Sequence, residues 1–201
     1  MKIEQIKKSH TQYIGKEIID KQQIDSTHKW ALREIDQIKN GTIILAEQQS
    51  SAIGTKGRTW YTGKNNIAMS IVIFPQCHIQ QLEGLTKNIA IAIQEAIYEL
   101  YGKKLTIKEP NDLLCNGKKV CGILTQTATE EQQVKYLIIS IGMNVNEMQF
   151  PEDIQNIATS LKKEWNIEYA REEIIIKIIE KLEKVKELAK LLDIQINSCI
   201  I

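Results

Sequence analysis

Hydrophobic residues return along this chain at two different periods, and the changes between them mark out its elements. From Leu82 to Tyr101 the apolar positions Leu85, Ile89, Ala92, Ile93, Ala96, Ile97 and Leu100 fall three or four apart, which predicts an amphipathic helix. The same spacing in Ile175, Ile178, Ile179, Leu182, Val185, Ala189 and Leu192 predicts a last long helix over roughly Arg171–Leu192, its lysine- and glutamate-rich face in solvent. A shorter helix is predicted with Leu32, Ile35 and Ile38 along one side, capped by Ser26 and Thr27 and stopped at Asn40-Gly41. Thr42–Glu47, Ile67–Phe74 (ended by Pro75) and Tyr136–Ile141 read as buried strands. Tyr13–Asp25 reads as an extended lead-in, and Gln48–Gly63 as a polar, glycine-bearing loop too irregular for regular structure.

The segment Lys108–Gly122, KEPNDLLCNGKKVCG, is the sharpest local signal. A Pro-Asn-Asp turn leads into a short apolar strand, and Asn116-Gly117 reverses it into Lys118, Lys119 and a second apolar run, Val120 to Leu124. Such a hairpin brings Lys108, Asn111 and Asp112 near a lysine pair. That is a combination suited to phosphate and carboxylate, and equally to an ordinary solvated hairpin. Together these elements predict an α+β fold, a mixed, mostly antiparallel sheet with helices packed on one face. There is no internal repeat and no low-complexity linker.

Composition narrows the classes. The 201 residues suit one substantial domain, or one with a small appendage. A formal net charge of +1 gives no broad attraction to nucleic acid. No stretch has the length of a membrane span, and MKIEQIKKSH lacks the apolar core of a signal peptide, so a cytoplasmic location is expected. Cys77, Cys115, Cys121 and Cys199 form no C-x-x-C pair and read as reduced core thiols; no zinc or other protein-held metal site is expected. The three histidines, His10, His28 and His78, have no evident partners, and no Ser-His-Asp set is visible.

With AEQQSSAIGTKGRTW (Ala46–Trp60) upstream and IISIGMNVN (Ile138–Asn146) downstream, the hairpin resembles the catalytic domain of biotin protein ligases, from about Ile24 to the helix near Arg171; Ala158–Leu161 adds to the likeness. The resemblance implies the biotin–lipoyl ligase fold, similar to class II aminoacyl-tRNA synthetases. It implies a reaction in which biotin and ATP give biotinyl-5'-AMP, and a carrier lysine then takes the biotin. The carrier would be the biotin carboxyl carrier protein of acetyl-CoA carboxylase or a related acyl-CoA carboxylase. On matching positions, Ser26, Thr27, Gln49, Gly54 and Gly122 would bind biotin. Lys119 would hold its carboxylate and then the acyl-phosphate oxygens as the catalytic lysine. Lys56, Arg58, Lys108, Asn111, Asp112 and Asn144 would surround the nucleotide, Trp60 would pack the loop or shield the adenine, and Mg2+ would arrive with ATP. The domain is expected as a monomer or homodimer, without a winged helix-turn-helix and hence without repressor activity, and with the small C-terminal β-barrel absent or truncated.

The chain also departs from the family. Where the family loop reads Gly-Arg-Gly-x-x-Gly-Arg, here it is Ala52-Ile53-Gly54-Thr55-Lys56-Gly57-Arg58, with Thr55 at a further arginine position. His28 replaces an asparagine and Glu109 a tryptophan; the Glu109 carboxylate is expected to pair with Lys108 or Lys56. These changes leave three readings: a minimal ligase, a biotin-binding domain that no longer completes the reaction, and a lipoyl or octanoyl transferase.

Overall fold

A computed structural model describes residues 1–192, and within them seven strands form one sheet. In chain order these are β1 (Ile18–Ile24), β2 (Thr42–Gln49), β3 (Ile67–Ile73), β4 (Thr106–Lys108), β5 (Asp112–Cys115), β6 (Lys118–Glu130) and β7 (Gln133–Met143). Their spatial order is β1-β2-β3-β7-β6-β5-β4. Only β1 and β2 run parallel; every other neighbouring pair is antiparallel. The helices are α1 (Ile3–Ile6), α2 (Thr27–Arg33), α3 (Leu85–Tyr101), α4 (Leu161–Trp165), α5 (Arg171–Leu182) and α6 (Lys186–Leu191). None of them is long and apolar enough to cross a membrane.

The period-two alternation of strands divides the sheet into two differently covered faces. Ile67, Met69, Ile71 and Ile73 of β3 join Ile139 and Ile141 of β7 in the main core, under α3 and α5, which is the expected helical layer. The opposite face carries a smaller cluster of Ile44, Val72 and Ile138 beneath Ala31 of α2. Because β3 is covered on both sides, all seven of its residues are buried, and its sequence is apolar on both faces except at Ser70.

Several elements differ from the sequence expectation. The helix after Ser26 stops at Arg33, followed by a 3-10 turn over Ile35–Gln37, and its buried side is Thr27, His28 and Ala31. Leu32, Ile35 and Ile38 still pack against the smaller cluster. The long C-terminal helix is two, α5 and α6, joined at residues 183–185; no Gly or Pro marks the break, so the apolar stripe runs on across it. That stripe is core, as Ile175, Ile178, Leu182 and Ala189 are buried. The lead-in ends in the edge strand β1, and β6 and β7 are longer than their apolar centres indicated. Their turn is Glu131-Gln132, both residues at positive φ, without the glycine that normally announces such a turn. Cys77, Cys115 and Cys121 are buried free thiols, with burial pushing Cys121 up to about 12; Cys199 and the terminal INSCII lie outside the described residues.

Candidate active site

The β5–β6 hairpin turns at Asn116 (φ 48°) and Gly117 (φ 79°), the left-handed pair that an Asn-Gly dipeptide favours. Two residues on, the register slips: Leu114 faces Lys119, while Leu113 faces Cys121, leaving Val120 extra. A regular strand sends residues three apart to opposite faces. The bulge cancels that alternation, so Lys119 and Gly122 share one face, the Lys119 ammonium standing 3.2 Å from where a Cβ on Gly122 would lie. Val120 and Cys121 meanwhile both remain in the core. Lys119 Nζ lies 2.6 Å from Asp112 Oδ1, an ionic contact, and 5.2 Å from the centre of the Trp60 ring. Its backbone is clamped by residues 157–159: Lys119 N donates to Ile157 O at 2.8 Å and Thr159 N donates to Lys119 O at 2.9 Å. The Ala158–Leu161 segment thus braces the lysine before Ser160 caps α4.

On the same face, the start of α2 meets the sheet in a chain of polar side chains. Ser26 is the N-cap, and Thr27 N donates to Gln49 Oε1 at 2.7 Å, while Gln49 Nε2 donates to Thr62 Oγ1 at 2.9 Å. Below Thr27, Ser70 Oγ donates to Thr27 Oγ1 at 2.8 Å and lies 2.7 Å from Ser140 Oγ. Ser140 Oγ lies 2.8 Å from His28 Nδ1, and His28 Nε2 lies 2.7 Å from Gln126 Oε1. The expectation that the histidines lack partners is therefore wrong for His28, and also for His78, whose ring accepts from Gln80 N in a capping box. Burial of His28 holds its imidazole below the ordinary histidine value, against the opposing pull of the Gln126 bond.

The loop between β2 and β3 folds back on itself. Gly54 N donates to Arg58 O at 2.7 Å, and Trp60 N donates to Ala52 O at 3.0 Å. At its tip Lys56 takes a left-handed conformation (φ 58°), and Lys56 and Arg58 project into solvent. Trp60 turns inward. Its indole lies on Gly142 so closely that a Cβ there would fall 2.5 Å from Nε1 and Cε2, and on Gly122 at 3.0 Å. Gly122, expected to let a ligand approach the backbone, thus has the chain's own tryptophan upon it, and the indole Nε1 is buried without a hydrogen-bond partner. Trp60, expected to pack the loop or shield the adenine, here packs on the glycines of β6 and β7.

Two spaces result. A recess of about 40 Å³ is lined by Ser26, Thr27 and Gln49 on its polar side and by Met69, Ile141 and Trp60 on its apolar side. Beside it a groove of about 1120 Å³ has Lys56, Arg58, Lys108, Asn111, Asp112 and Asn144 along its walls. Lys119 borders both. Not all of these side chains are free. Asn111 Nδ2 donates to Ile123 O, and Asn144 Nδ2 donates to Thr159 O, each at 3.0 Å, so both amides also stitch the groove together. Glu109 pairs with Lys87 at 2.6 Å, and not with Lys108 or Lys56. All the sequence-identified site residues therefore converge on one face. Those missed are Ser70, Gln126 and Thr62, which no motif marks, and Ser140, which the Ile138–Asn146 motif contains without setting it apart.

Comparisons with known proteins bear on the family and the fold. Residues 20–146 match the family described as biotin/lipoate A/B protein ligase. The bifunctional ligase/repressor BirA of Bacillus subtilis is 35% identical over 179 residues, 87% of this chain and 55% of that protein. The biotin--[acetyl-CoA-carboxylase] ligase of Paracoccus denitrificans is 32% identical over 123 residues, 60% of this chain and 51% of that protein. The chain thus spans about half the length of these relatives. Among solved structures, biotin protein ligase from Aquifex aeolicus in complex with biotin and ATP superposes with a TM-score of 0.72 at 25% identity, covering 87% of this chain and 71% of that one.

Proposed function

Because this chain belongs to the biotin/lipoate A/B protein ligase family, we propose that it activates biotin with ATP and transfers it to a carrier lysine. The observation that carries the reading is Lys119. The bulge at Val120 turns it onto the face it shares with Gly122, between a small recess and a wide groove with cations on its walls. The hydroxyl and amide groups of the recess both donate and accept, as a cyclic urea requires, and room for its rings opens when the Trp60 indole leaves Gly122 and Gly142. A triphosphate fits the groove, where Arg58 offers a two-pronged grip and Lys56 and Lys108 offer point charges.

In the first step a biotin carboxylate oxygen attacks the α-phosphorus of ATP. An O–P bond forms, the bond to the bridging oxygen breaks, and pyrophosphate leaves. Lys119 exchanges Asp112 for the incoming carboxylate and then meets the charge gathering on the phosphoryl oxygens. In the second step a carrier lysine amine attacks the acyl carbon, the C–O bond to AMP breaks, and the amine loses its proton. Neither step needs a covalent nucleophile on the protein. What the protein supplies is positioning, charge and exclusion of water. Magnesium would supply charge neutralisation on the phosphates; Asp112 fits it as a single carboxylate ligand, with phosphates and water completing the shell. The carrier we propose is the biotin-bearing protein of an acyl-CoA carboxylase.

Lys119→Ala is expected to abolish biotin-dependent pyrophosphate release while leaving the melting temperature within a few degrees of wild type. Near-normal release would remove Lys119 from the mechanism. A second reading, biotin binding without activation, draws on Ile53 and Thr55 standing at arginine positions. Calorimetric titration with biotin, with and without ATP and magnesium, separates the two, since only the ligase releases pyrophosphate.

A further inference from the structure

The loop that carries Lys56, Arg58 and Trp60 leaves the sheet at the end of β2 and returns at the start of β3, and one side chain holds both of its stems. Arg171, the first residue of α5, belongs to the helical layer on the other face of the sheet and lines neither the recess nor the groove. Its Nη1 donates to Glu47 Oε2 at 2.8 Å, to Lys64 O at 2.9 Å and to Asn66 O at 3.0 Å, while Nη2 donates to Glu47 Oε1 at 3.2 Å. Glu47 stands two residues before Gln49 on the outgoing stem, and the Met1 ammonium also meets it at 2.6 Å. Lys64 and Asn66 form the returning stem. A planar guanidinium suits this place, because its fork of N–H groups serves acceptors on two strands at once.

Asn66 carries the grip onward. Its buried side chain accepts from Val145 N at 2.9 Å and donates to Asn144 Oδ1 at 3.4 Å, and Asn144 borders the groove. Asn146, the last residue of Gly142-Met143-Asn144-Val145-Asn146, ties the same knot from the helix side. Its Oδ1 accepts from Tyr169 N at 3.0 Å and its Nδ2 donates to Tyr169 O at 2.8 Å, two residues before Arg171.

We infer that Arg171 is a positioning residue for the nucleotide half of the site: from behind the sheet it fixes both stems of the loop bearing Lys56 and Arg58, and through Asn66 it fixes Asn144. The inference rests on the ATP reading of the groove. Pinned stems leave residues 48–63 to move when the Trp60 indole leaves its glycines, so the loop swings about fixed ends and returns its two cations to one place. With loose stems the same cations sample many positions, and each phosphate contact has to be ordered at the moment of binding. The biotin contacts depend less on this grip. Ser26 and Thr27 stand at the start of α2, and Gln49 is held by Thr27 N and Thr62 Oγ1.

Arg171→Gln tests this on the full chain. Trypsin cuts after Lys56 and Arg58 in the loop and after Lys103 and Lys104 beyond α3, all of them exposed. In the variant, loop cleavage should rise roughly tenfold or more relative to cleavage at Lys103 and Lys104, as the loss of charge-assisted hydrogen bonds implies. In pyrophosphate assays the KM for ATP should rise about tenfold, and the KM for biotin should change by less than about threefold. Arg171→Lys keeps a cation beside Glu47 without the planar fork, and should show the same pattern at smaller size even if Arg171→Gln does not fold. Equal acceleration at loop and control sites, or none at the loop, would reduce the knot to a feature of fold stability and overturn the inference. Equal rises in KM for both substrates would overturn it as well. If the wild-type protein releases no pyrophosphate, the ATP reading fails and takes the nucleotide role with it, while the cleavage ratio still decides whether Arg171 holds the stems.

Discussion

His28 carries a cost that grows as pH falls. Its folded-state pKa lies below the ordinary 6.5 because burial disfavours the imidazolium, so between the two values the unfolded chain holds the extra proton. Stability is therefore complete above about pH 6.5 and declines as pH drops from there toward the folded value. Thermal melts at pH 7.5 and 5.5 should show this decline, and His28→Asn should flatten it; an equal slope in the variant would place the acid sensitivity elsewhere. The same residue marks a boundary of what the sequence makes legible. Lys119, Gly122, Ser26, Thr27 and Gln49 belong to short motifs whose chemistry is visible in one dimension. Ser70 does not: it is one polar position in an apolar strand, and it meets Ser140 only because β3 and β7 pair in the register that sets the two opposite. Register over that distance is a property of the sheet, and no local pattern encodes it.

Among the elements, the two hairpins make the same point from opposite sides. Asn116-Gly117 was legible because glycine and asparagine tolerate positive φ, whereas Glu131-Gln132 takes the same backbone against its own preference. The bulge at Val120 was not legible at all, although it decides which way the central lysine points. The loop Ala52–Trp60 is closed by a few backbone bonds around Lys56, and Thr55 stands at its inner edge, lining both recess and groove. A guanidinium there would add a charge-assisted hydrogen bond to an adenylate, about 1.5–3 kcal/mol. Thr55→Arg is therefore expected to slow adenylate release by roughly ten- to a hundredfold, as followed by chase of radiolabelled intermediate. In the wild-type protein, faster leakage should appear as labelling of lysines at random; confinement of label to one carrier lysine would show that another group retains the intermediate.

At the scale of the molecule, the chain before β1 is fastened to the C-terminal helices by one buried carboxylate. Glu183, at the end of α5, accepts from the backbone N–H groups of Gln12, Tyr13 and Ile14, each at 2.7 Å. Three amides converge on one carboxylate at the point where α5 ends, and α6 begins afresh at Lys186. Glu183→Ala strands all three donors, with an expected loss of about 3 kcal/mol or more. For a domain of this size that is roughly 6–12 °C in melting temperature, readable by calorimetry. A shift under two degrees would mean that water replaces the carboxylate at little cost. The layered architecture itself was legible, since helical and strand periods alternate cleanly. This fastening was not, because it joins residues far apart in the chain through a glutamate that looks like surface.

The indole resting on Gly122 and Gly142 gives the binding reaction an unusual thermal signature. Ordinarily an apolar ligand buries wet surface on entering a pocket, and the heat capacity falls in proportion. Here the glycine floor is already dry under Trp60, so a ligand seated there displaces one apolar group with another and releases little ordered water from that floor. Titrations at several temperatures should thus return a heat-capacity change smaller than the ligand's own apolar area implies. Trp60→Ala, which leaves the floor wet beforehand, should restore the larger value. The protein keeps its own place-holder on the site, and occupancy becomes an exchange of partners.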